Sequence, residues 1–189
     1  MITGILLAAG SGSRFGADKL LHPLGDGTPI GLASLRALKR ALPNVIAVIR
    51  TGDDRLRACL DDEQVAIYEC DDAHLGMAHS FVCGIEASRD ADGWVIALGD
   101  MPFVQPRTIS SVAARVAHNG RIIIPAYRGQ RGHPVGFGGR YLRELQNLSG
   151  DEGARSVIGR HSGEVELLEA DDEGILRDID TRADLKSTS

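Results

Sequence analysis

Residues Ile2-Thr3-Gly4-Ile5-Leu6-Leu7-Ala8 form a near-continuous apolar run that empties directly into Ala9-Gly10-Ser11-Gly12-Ser13-Arg14-Phe15-Gly16-Ala17-Asp18-Lys19. A strand that is apolar at consecutive positions is buried on both faces, as the inner strands of helix-covered parallel sheets are. In such sheets ligands gather beyond the carboxyl ends of the strands. A loop of glycine and serine at that point lets backbone N–H groups converge on an anion, and serine hydroxyls add donors. Arg14 and Lys19 bring positive charge to the same loop, and Lys19 is one of only three lysines, with Lys39 and Lys186.

The same alternation of strand and helix runs on down the chain. Residues 30–42 carry apolar side chains at helical spacing and stop before Pro43. Strands are predicted at 45–49, 65–68, 94–98 and 122–125, with helices over 55–60, 76–88 and 106–118, the last opening on Pro106 at the favoured first position. Glycines then cluster around His133-Pro134-Val135, followed by helix-like pieces at 140–147 and 154–160. Closing strands are predicted at 165–168 and near Ile179. Alternation of this kind implies an α/β domain with a mostly parallel sheet and right-handed crossovers. No composition shift, linker or repeat divides residues 1–189, so one domain is expected.

Composition narrows the partners. Of 189 residues 23 are glycine, against a usual share of roughly 7%, which suggests tight turns or backbone close to a ligand. A net charge of −5 argues against a nucleic-acid or anionic-membrane surface. No apolar run reaches the roughly 18 residues of a membrane span, and the first residues lack the pattern of a secretory signal. A soluble cytoplasmic protein is expected. Cys59, Cys70 and Cys83 form no metal-binding pair and read as small buried apolar residues.

Neither common phosphate loop fits the first turn. A Walker loop needs a glycine directly before Lys19 and a serine or threonine after it, where Leu20 stands. The dinucleotide fingerprint accepts Gly10 and Gly12 but meets Phe15 where its third glycine belongs, and Gly16 comes one residue late. Two acidic segments complete the set of candidates. Asp100, in Gly99-Asp100-Met101-Pro102, ends the fourth long strand and faces the same crevice as the first loop. In Asp178-Ile179-Asp180 the two carboxylates share a face of an extended segment while Ile179 points inward. A carboxylate placed like that of Asp100 suits Mg²⁺, which takes one or two carboxylates together with phosphate oxygens and water. The same residues also admit plain structural roles. The second segment reads equally as a solvated turn capped by Thr181, with Asp184 starting a helix. His74 and His79 read as surface imidazoles, and Arg155 as an ion-pair partner of Asp151.

Several motifs carry a resemblance. Leu7 to Lys19 resembles the L-A-A-G-x-G-x-R-x-G-…-K signature of the nucleotidyltransferase superfamily, Gly99 to Pro102 its G-D-M-P, and Asp178 to Leu185 its D-I-D-T-P-E-D-L, with Arg182-Ala183 in place of Pro-Glu. Arg131 to Val135 resembles R-G-H-P-V, Gly150 to Arg155 G-D-x-G-A-R, and Gly76 to Ser80 G-M-x-x-S, all segments of molybdenum cofactor cytidylyltransferases in the MobA-like NTP transferase family. The resemblance spans nearly the whole chain. It implies a Rossmann-like three-layer sandwich of the nucleotide-diphospho-sugar transferase type. The implied reaction transfers CMP from CTP to the phosphate of molybdenum-bound molybdopterin, releasing pyrophosphate.

By the same resemblance Asp100 and Asp180 hold Mg²⁺, with Asp178 the alternative to Asp180. Arg14 and Lys19 face the triphosphate. Leu7, Ala8, Ala9, Gly10, Ser11, Gly12, Ser80 and Gly99 bind the nucleotide, and His133 and Arg155 contact the acceptor. Ala9 is what the cytidine branch shows where the guanylyltransferase branch has glycine. A molybdenum hydroxylase or its maturation chaperone is the implied protein partner. Three other readings stand beside this one: a sister enzyme using GTP or another acceptor phosphate, a non-catalytic nucleotide-binding chaperone, and a dinucleotide-dependent oxidoreductase.

Overall fold

Parallel strands need a long connection between them, and the amphipathic segments supply it. A computed structural model describes residues 1–10, 15, 18–150 and 153–187 of the chain. Its main elements are β1 (Ile2–Leu7), α1 (Ile30–Ala41), β2 (Val45–Arg50), α2 (Asp54–Asp61), β3 (Ala66–Cys70), α3 (Met77–Ala87) and β4 (Gly93–Leu98). They continue with α4 (Pro106–Asn119), β5 (Ile122–Tyr127), β6 (Gln130–Arg131), β7 (Val135–Gly138), α5 (Leu142–Gln146), α6 (Arg155–Arg160) and β8 (Val165–Glu169). The helix ends follow local chemistry: α4 opens on Pro106 and closes on Gly120, whose left-handed φ of 61° lets its N–H reach the Val116 carbonyl.

The strands form one sheet in the order β3-β2-β1-β4-β7-β5-β6, with β8 beside β5. β1 pairs in parallel with β2 and β4, β2 with β3, and β5 with β8. Only β7, antiparallel to both β4 and β5, and the short β6 run the other way. Alternate strand residues feed two cores. Leu6, Ala47, Ile49 and Val95 pack with Leu35 and Leu38 of α1, Leu60 of α2 and Val112 of α4. Ile5, Val48, Trp94 and Ile96 pack with Phe81 and Ile85 of α3, Leu145 of α5 and Val157 of α6. Helices therefore cover both faces, the three-layer sandwich that the alternation implies.

Three expectations need correction. The segment near Ile179 is not a strand. It crosses the carboxyl edge of the sheet, and its one ladder-like bond runs from the Ile179 N–H to the Asp100 carbonyl at 2.9 Å. The glycine cluster contains a strand, β7, which its glycines hid because they contribute no apolar side chain to a period-two pattern. Of the three cysteines only Cys70 is buried; Cys59 and Cys83 are half-exposed. Among the described residues no helix is long and apolar enough to cross a membrane.

After β8 the chain returns over the sheet as a strap, and a buried carboxylate fixes where it starts. Asp172 is 1% exposed. It accepts hydrogen bonds from the Gln105 N–H (2.9 Å), the Thr108 hydroxyl (2.6 Å) and the Gly174 N–H (3.0 Å), which ties the strap to the start of α4. Backbone then rides on backbone: a Cβ on Gly174 would lie 2.1 Å from the Phe103 carbonyl oxygen, and one on Gly132 2.3 Å from that of Ile175. Leaving these donors unpaired in Asp172→Ala is expected to cost about 3 kcal/mol. Forcing a methyl into the contact in Gly174→Ala is expected to cost about 2 kcal/mol. Urea unfolding of purified variants measures both, and unchanged midpoints would show that the strap is not anchored there.

Candidate active site

The parallel strands β1 to β4 finish side by side, so the residues just beyond them share one crevice. After β1, Ala8 still donates its N–H to the Val48 carbonyl at 2.8 Å, and Ala8 and Ala9 stay buried. After β4, the Gly99 N–H donates to the Leu7 carbonyl at 2.9 Å, while the Gly99 carbonyl accepts from the Ser34 hydroxyl at 2.9 Å. Both backbone groups of Gly99 are thus used within the protein. It sits behind the crevice wall and fixes the direction in which Asp100 leaves the strand.

Lys19 opens a 3-10 turn (Lys19–Leu21) that packs beside α1. Its ammonium donates to Asp100 Oδ2 at 2.7 Å and to Asp180 Oδ1 at 3.3 Å. The Lys19 side chain is only 11% exposed, Asp100 25% and Asp180 36%, so the ion group lies partly out of water and opens to it through Asp180. Burial by itself pushes the Lys19 ammonium down, but the hydrogen bonds and charges of Asp100 and Asp180 outweigh it and hold the group above the ordinary lysine value. Lys19 is charged at neutral pH.

Asp180 reaches this point because its neighbours are fixed on either side. Ile179 is fully buried against Phe15 and Ile30, and its N–H holds the Asp100 carbonyl. The Asp184 carboxylate accepts from the N–H groups of Asp180 (3.1 Å) and Thr181 (2.6 Å), capping the last turn. Asp184 therefore starts a short helical turn, and the same cap orients Asp180. The two expected alternatives separate here: Asp180 contacts Lys19, while Asp178 is exposed and acts electrostatically on His133.

Beside the ion group lies a hollow of about 580 Å³. Leu7, Ala8, Ala9, Gly10, Lys19, Ser80 and Asp100 line it, all named from sequence. The start of α3 also forms part of the wall; there Gly76 (φ 128°) turns the chain, and among the described residues no side chain caps the helix. Its first N–H groups thus remain available next to Met77 and the buried Ser80. Arg50, Ala73 and His74 also line the hollow and were missed by sequence reasoning. Arg50 could have been found, since it ends β2 and a strand neighbouring β1 must finish at the same crevice. Ser11, Gly12 and Arg14 lie outside the described residues.

His133 and Arg155 do not line that hollow, although Asp100 and Arg155 both lie within electrostatic reach of His133. Contact with the strap encloses His133, whose N–H donates to the Ile175 carbonyl at 3.0 Å. Burial pushes its imidazole below the ordinary histidine value; Asp100 and Asp178 pull it up and Arg155 pushes it further down. The ring is neutral at pH 7, and its Nδ1 is buried without a hydrogen-bond partner among the described residues. Arg155 is exposed at the start of α6.

The donor set fits a hard divalent cation completed by substrate. Among the described residues no cluster of three or more His, Cys, Asp or Glu side chains converges as a metal cage. Asp100 and Asp180 do converge, and two carboxylates beside a space for phosphate are what Mg²⁺ takes, with waters and phosphate oxygens in its remaining positions.

The chain is similar to known proteins over nearly its whole length. The chain is 33% identical over 191 residues to purine catabolism protein PucB of Bacillus subtilis, covering 95% of this chain and 92% of that one. It is 30% identical over 190 residues to nicotine blue oxidoreductase of Paenarthrobacter nicotinovorans, with the same two coverages. Rv0371c of Mycobacterium tuberculosis superposes with a TM-score of 0.83 at 30% identity, covering 98% of this chain and 95% of that one. The same protein solved with manganese gives 0.78 at 27% identity, covering 98% and 96%. A more distant likeness shows the fold alone: 4-diphosphocytidyl-2C-methyl-D-erythritol synthase of Anaerococcus prevotii, with a TM-score of 0.76 at 16% identity, covers 99% of this chain and 93% of that one. The sandwich is therefore the nucleotide-diphospho-sugar transferase type. Residues 4–165 match the MobA-like NTP transferase domain, and the chain belongs to that nucleotidyltransferase family.

Proposed function

We propose that the protein is a cytidylyltransferase that transfers CMP from CTP to the phosphate of molybdenum-bound molybdopterin. One observation carries the reading: Lys19 lies within 3.3 Å of both Asp100 and Asp180, and Lys19 and Asp100 line a hollow of about 580 Å³. A phosphate monoester has a second pKa near 6, so the acceptor is largely dianionic at neutral pH and attacks without a protein base. Its oxygen forms a bond to the α-phosphorus of CTP while the bond from that phosphorus to the bridging oxygen breaks, and the bonding electrons leave with pyrophosphate. The protein has to neutralise crowded charge and align nucleophile with leaving group.

Each element then has a task. Backbone from Leu7 to Gly12, Ser80 and the open start of α3 bind base and ribose, with the Ala8 and Ala9 methyl groups narrowing the hollow toward a pyrimidine. Arg14 and Lys19 stabilise the β- and γ-phosphates as charge builds on the leaving group. Asp100 and Asp180 hold Mg²⁺, which supplies Lewis-acid neutralisation of the reacting phosphates when bound. His133, neutral and with an Nδ1 that lacks a hydrogen-bond partner among the described residues, and the exposed Arg155 meet the acceptor. A molybdenum hydroxylase, or the chaperone that matures it, is the proposed recipient of the product. A cytoplasmic location accords with such a role.

The name of one relative, nicotine blue oxidoreductase, favours a second reading, in which the hollow binds a dinucleotide for hydride transfer. Fluorescence titration with NADH decides this: saturable micromolar binding displaced by no nucleoside triphosphate would favour it, and no binding is expected. The primary reading is tested by incubating the protein and Mg²⁺ with molybdopterin and CTP, GTP, ATP or UTP in turn. Pyrophosphate release and a cytosine dinucleotide product by mass are expected with CTP alone. Lys19→Ala and Asp100→Ala are each expected to lower turnover by at least ~100-fold, the scale of losing a well-placed electrostatic group. Wild-type turnover in either variant would remove that residue from the machinery.

A further inference from the structure

Lys19 is assigned to the triphosphate, yet its ammonium donates to two carboxylates. It lies between the two carboxylates assigned to the metal, 2.7 Å from Asp100 and 3.3 Å from Asp180. One cation cannot grip a phosphate and occupy the place between the carboxylates at once. We propose that Lys19 is a place-holding counter-ion for the divalent cation, so that metal and triphosphate are admitted together and either one alone is resisted. The inference rests on the proposed role of Asp100 and Asp180 and adds an order of binding to it.

The physical case is one of charge and solvation. Two carboxylates held close together and partly withdrawn from bulk water repel each other and favour a counter-charge. Lys19 supplies it and brings the local sum of these three groups from −2 to −1. A lone divalent cation must then displace a hydrogen-bonded ammonium that has no new partner to receive it. A lone triphosphate meets a lysine already engaged and two carboxylates of its own sign. With both present the exchange is balanced: the ammonium passes from carboxylate to phosphate oxygen, and no group is left buried without a counter-charge. Linkage makes the effect reciprocal, since whatever factor the triphosphate adds to metal affinity, the metal adds to triphosphate affinity.

The strap strengthens the argument. The Ile179 N–H bonds the Asp100 carbonyl, and Asp184 fixes the Asp180 N–H. The two carboxylates are therefore held at main-chain level and cannot simply part to relieve repulsion. The movable component is the long, flexible lysine side chain. It is the group whose change of partner disturbs least structure.

The test reads metal binding directly, with no acceptor present. Free Mn²⁺ is followed by electron paramagnetic resonance during titration of the full chain as wild type, Lys19→Ala, Lys19→Gln and Asp100→Asn. Each is titrated with and without CTP and corrected for Mn²⁺ chelated by CTP itself. Both Lys19 variants are expected to bind Mn²⁺ alone at least ~10-fold tighter than wild type, while the factor by which CTP raises Mn²⁺ affinity falls by a similar amount. Lys19→Gln keeps the length of the side chain, and thermal melts establish that the variants are folded. Equal or weaker Mn²⁺ binding by folded Lys19 variants overturns the inference. If Asp100→Asn then still abolishes CTP-dependent Mn²⁺ binding, the metal-site assignment survives. Absence of Mn²⁺ binding in every protein, with or without CTP, sinks both. Should neither Lys19 variant fold, the wild type decides alone: no rise in protein-bound Mn²⁺ on adding CTP overturns the proposal.

Discussion

The contact between Lys19, Asp100 and Asp180 closes loops across 81 and 161 residues of sequence, and much of the architecture exists to make it possible. Three ionised groups partly withdrawn from water are unstable singly, because each loses hydration that the others must replace. Their mutual placement has to be enforced by main chain rather than left to side-chain flexibility. Asp100 is aimed by Gly99, whose two backbone groups are bonded to Leu7 and Ser34. Asp180 is aimed by the buried Ile179 on one side and the Asp184 cap on the other. Lys19 alone arrives on a short turn, and it alone has several rotatable bonds between backbone and charge.

Sheet topology explains why these distant residues can meet. Four parallel strands finishing at one edge place Leu7, Arg50, Cys70 and Leu98 in a row, and whatever follows each strand opens onto the same space. The antiparallel β7 then brings His133 to the flank of that space. The strap returns over it, fixed by Asp172 at the start of α4 and by backbone packing at Gly174 and Gly132. Asp172 touches no proposed substrate, yet the position of Asp180 depends on it through eight residues of strap. The polar anchor and the tight glycine contacts share one purpose, to stop a segment without ladder partners from sliding.

Legibility in the sequence follows from how local the physics is. β1, β2, β4 and their helices were readable because double-sided burial writes apolar runs into the strands and 3.6-residue spacing into the helices. Lys19 and Asp100 stood out because a strand end in a parallel sheet has a known destiny. The segment around Ile179 misled: a buried isoleucine between two aspartates has the alternation of a strand, but here the apolar residue plugs a small cluster with Phe15 and Ile30 instead of joining the sheet. β7 was concealed by Gly136 and Gly138, where a Cβ would meet Val116 at 2.5 Å and the Gly120 carbonyl at 2.1 Å, so close packing erased the very side chains that would have announced a strand. Arg50 was invisible as a lone exposed arginine, although its place at the end of β2 follows from topology once the parallel order is granted.

The same division bears on why relatives with unlike names share this frame. The groups fixed by backbone contacts — Ala8, Gly99, Asp100 and Asp180 — are among those that the proposed function gives to the nucleotide and the cation. Groups around the rest of the space are held loosely: Met77 is 55% exposed, and His74 and Arg155 sit on short turns or helix starts at the surface. Substitution there alters the shape and charge of the surface around the crevice without disturbing the sheet. His133 stands between the two classes, fixed by its N–H to Ile175 but with a neutral ring whose buried Nδ1 lacks a described partner. A buried polar atom left in that state gains most from a ligand that completes its hydrogen bonding. On the proposed function, discrimination between acceptors therefore falls to His133 and its surroundings, and the ion group is left to the phosphates and the cation.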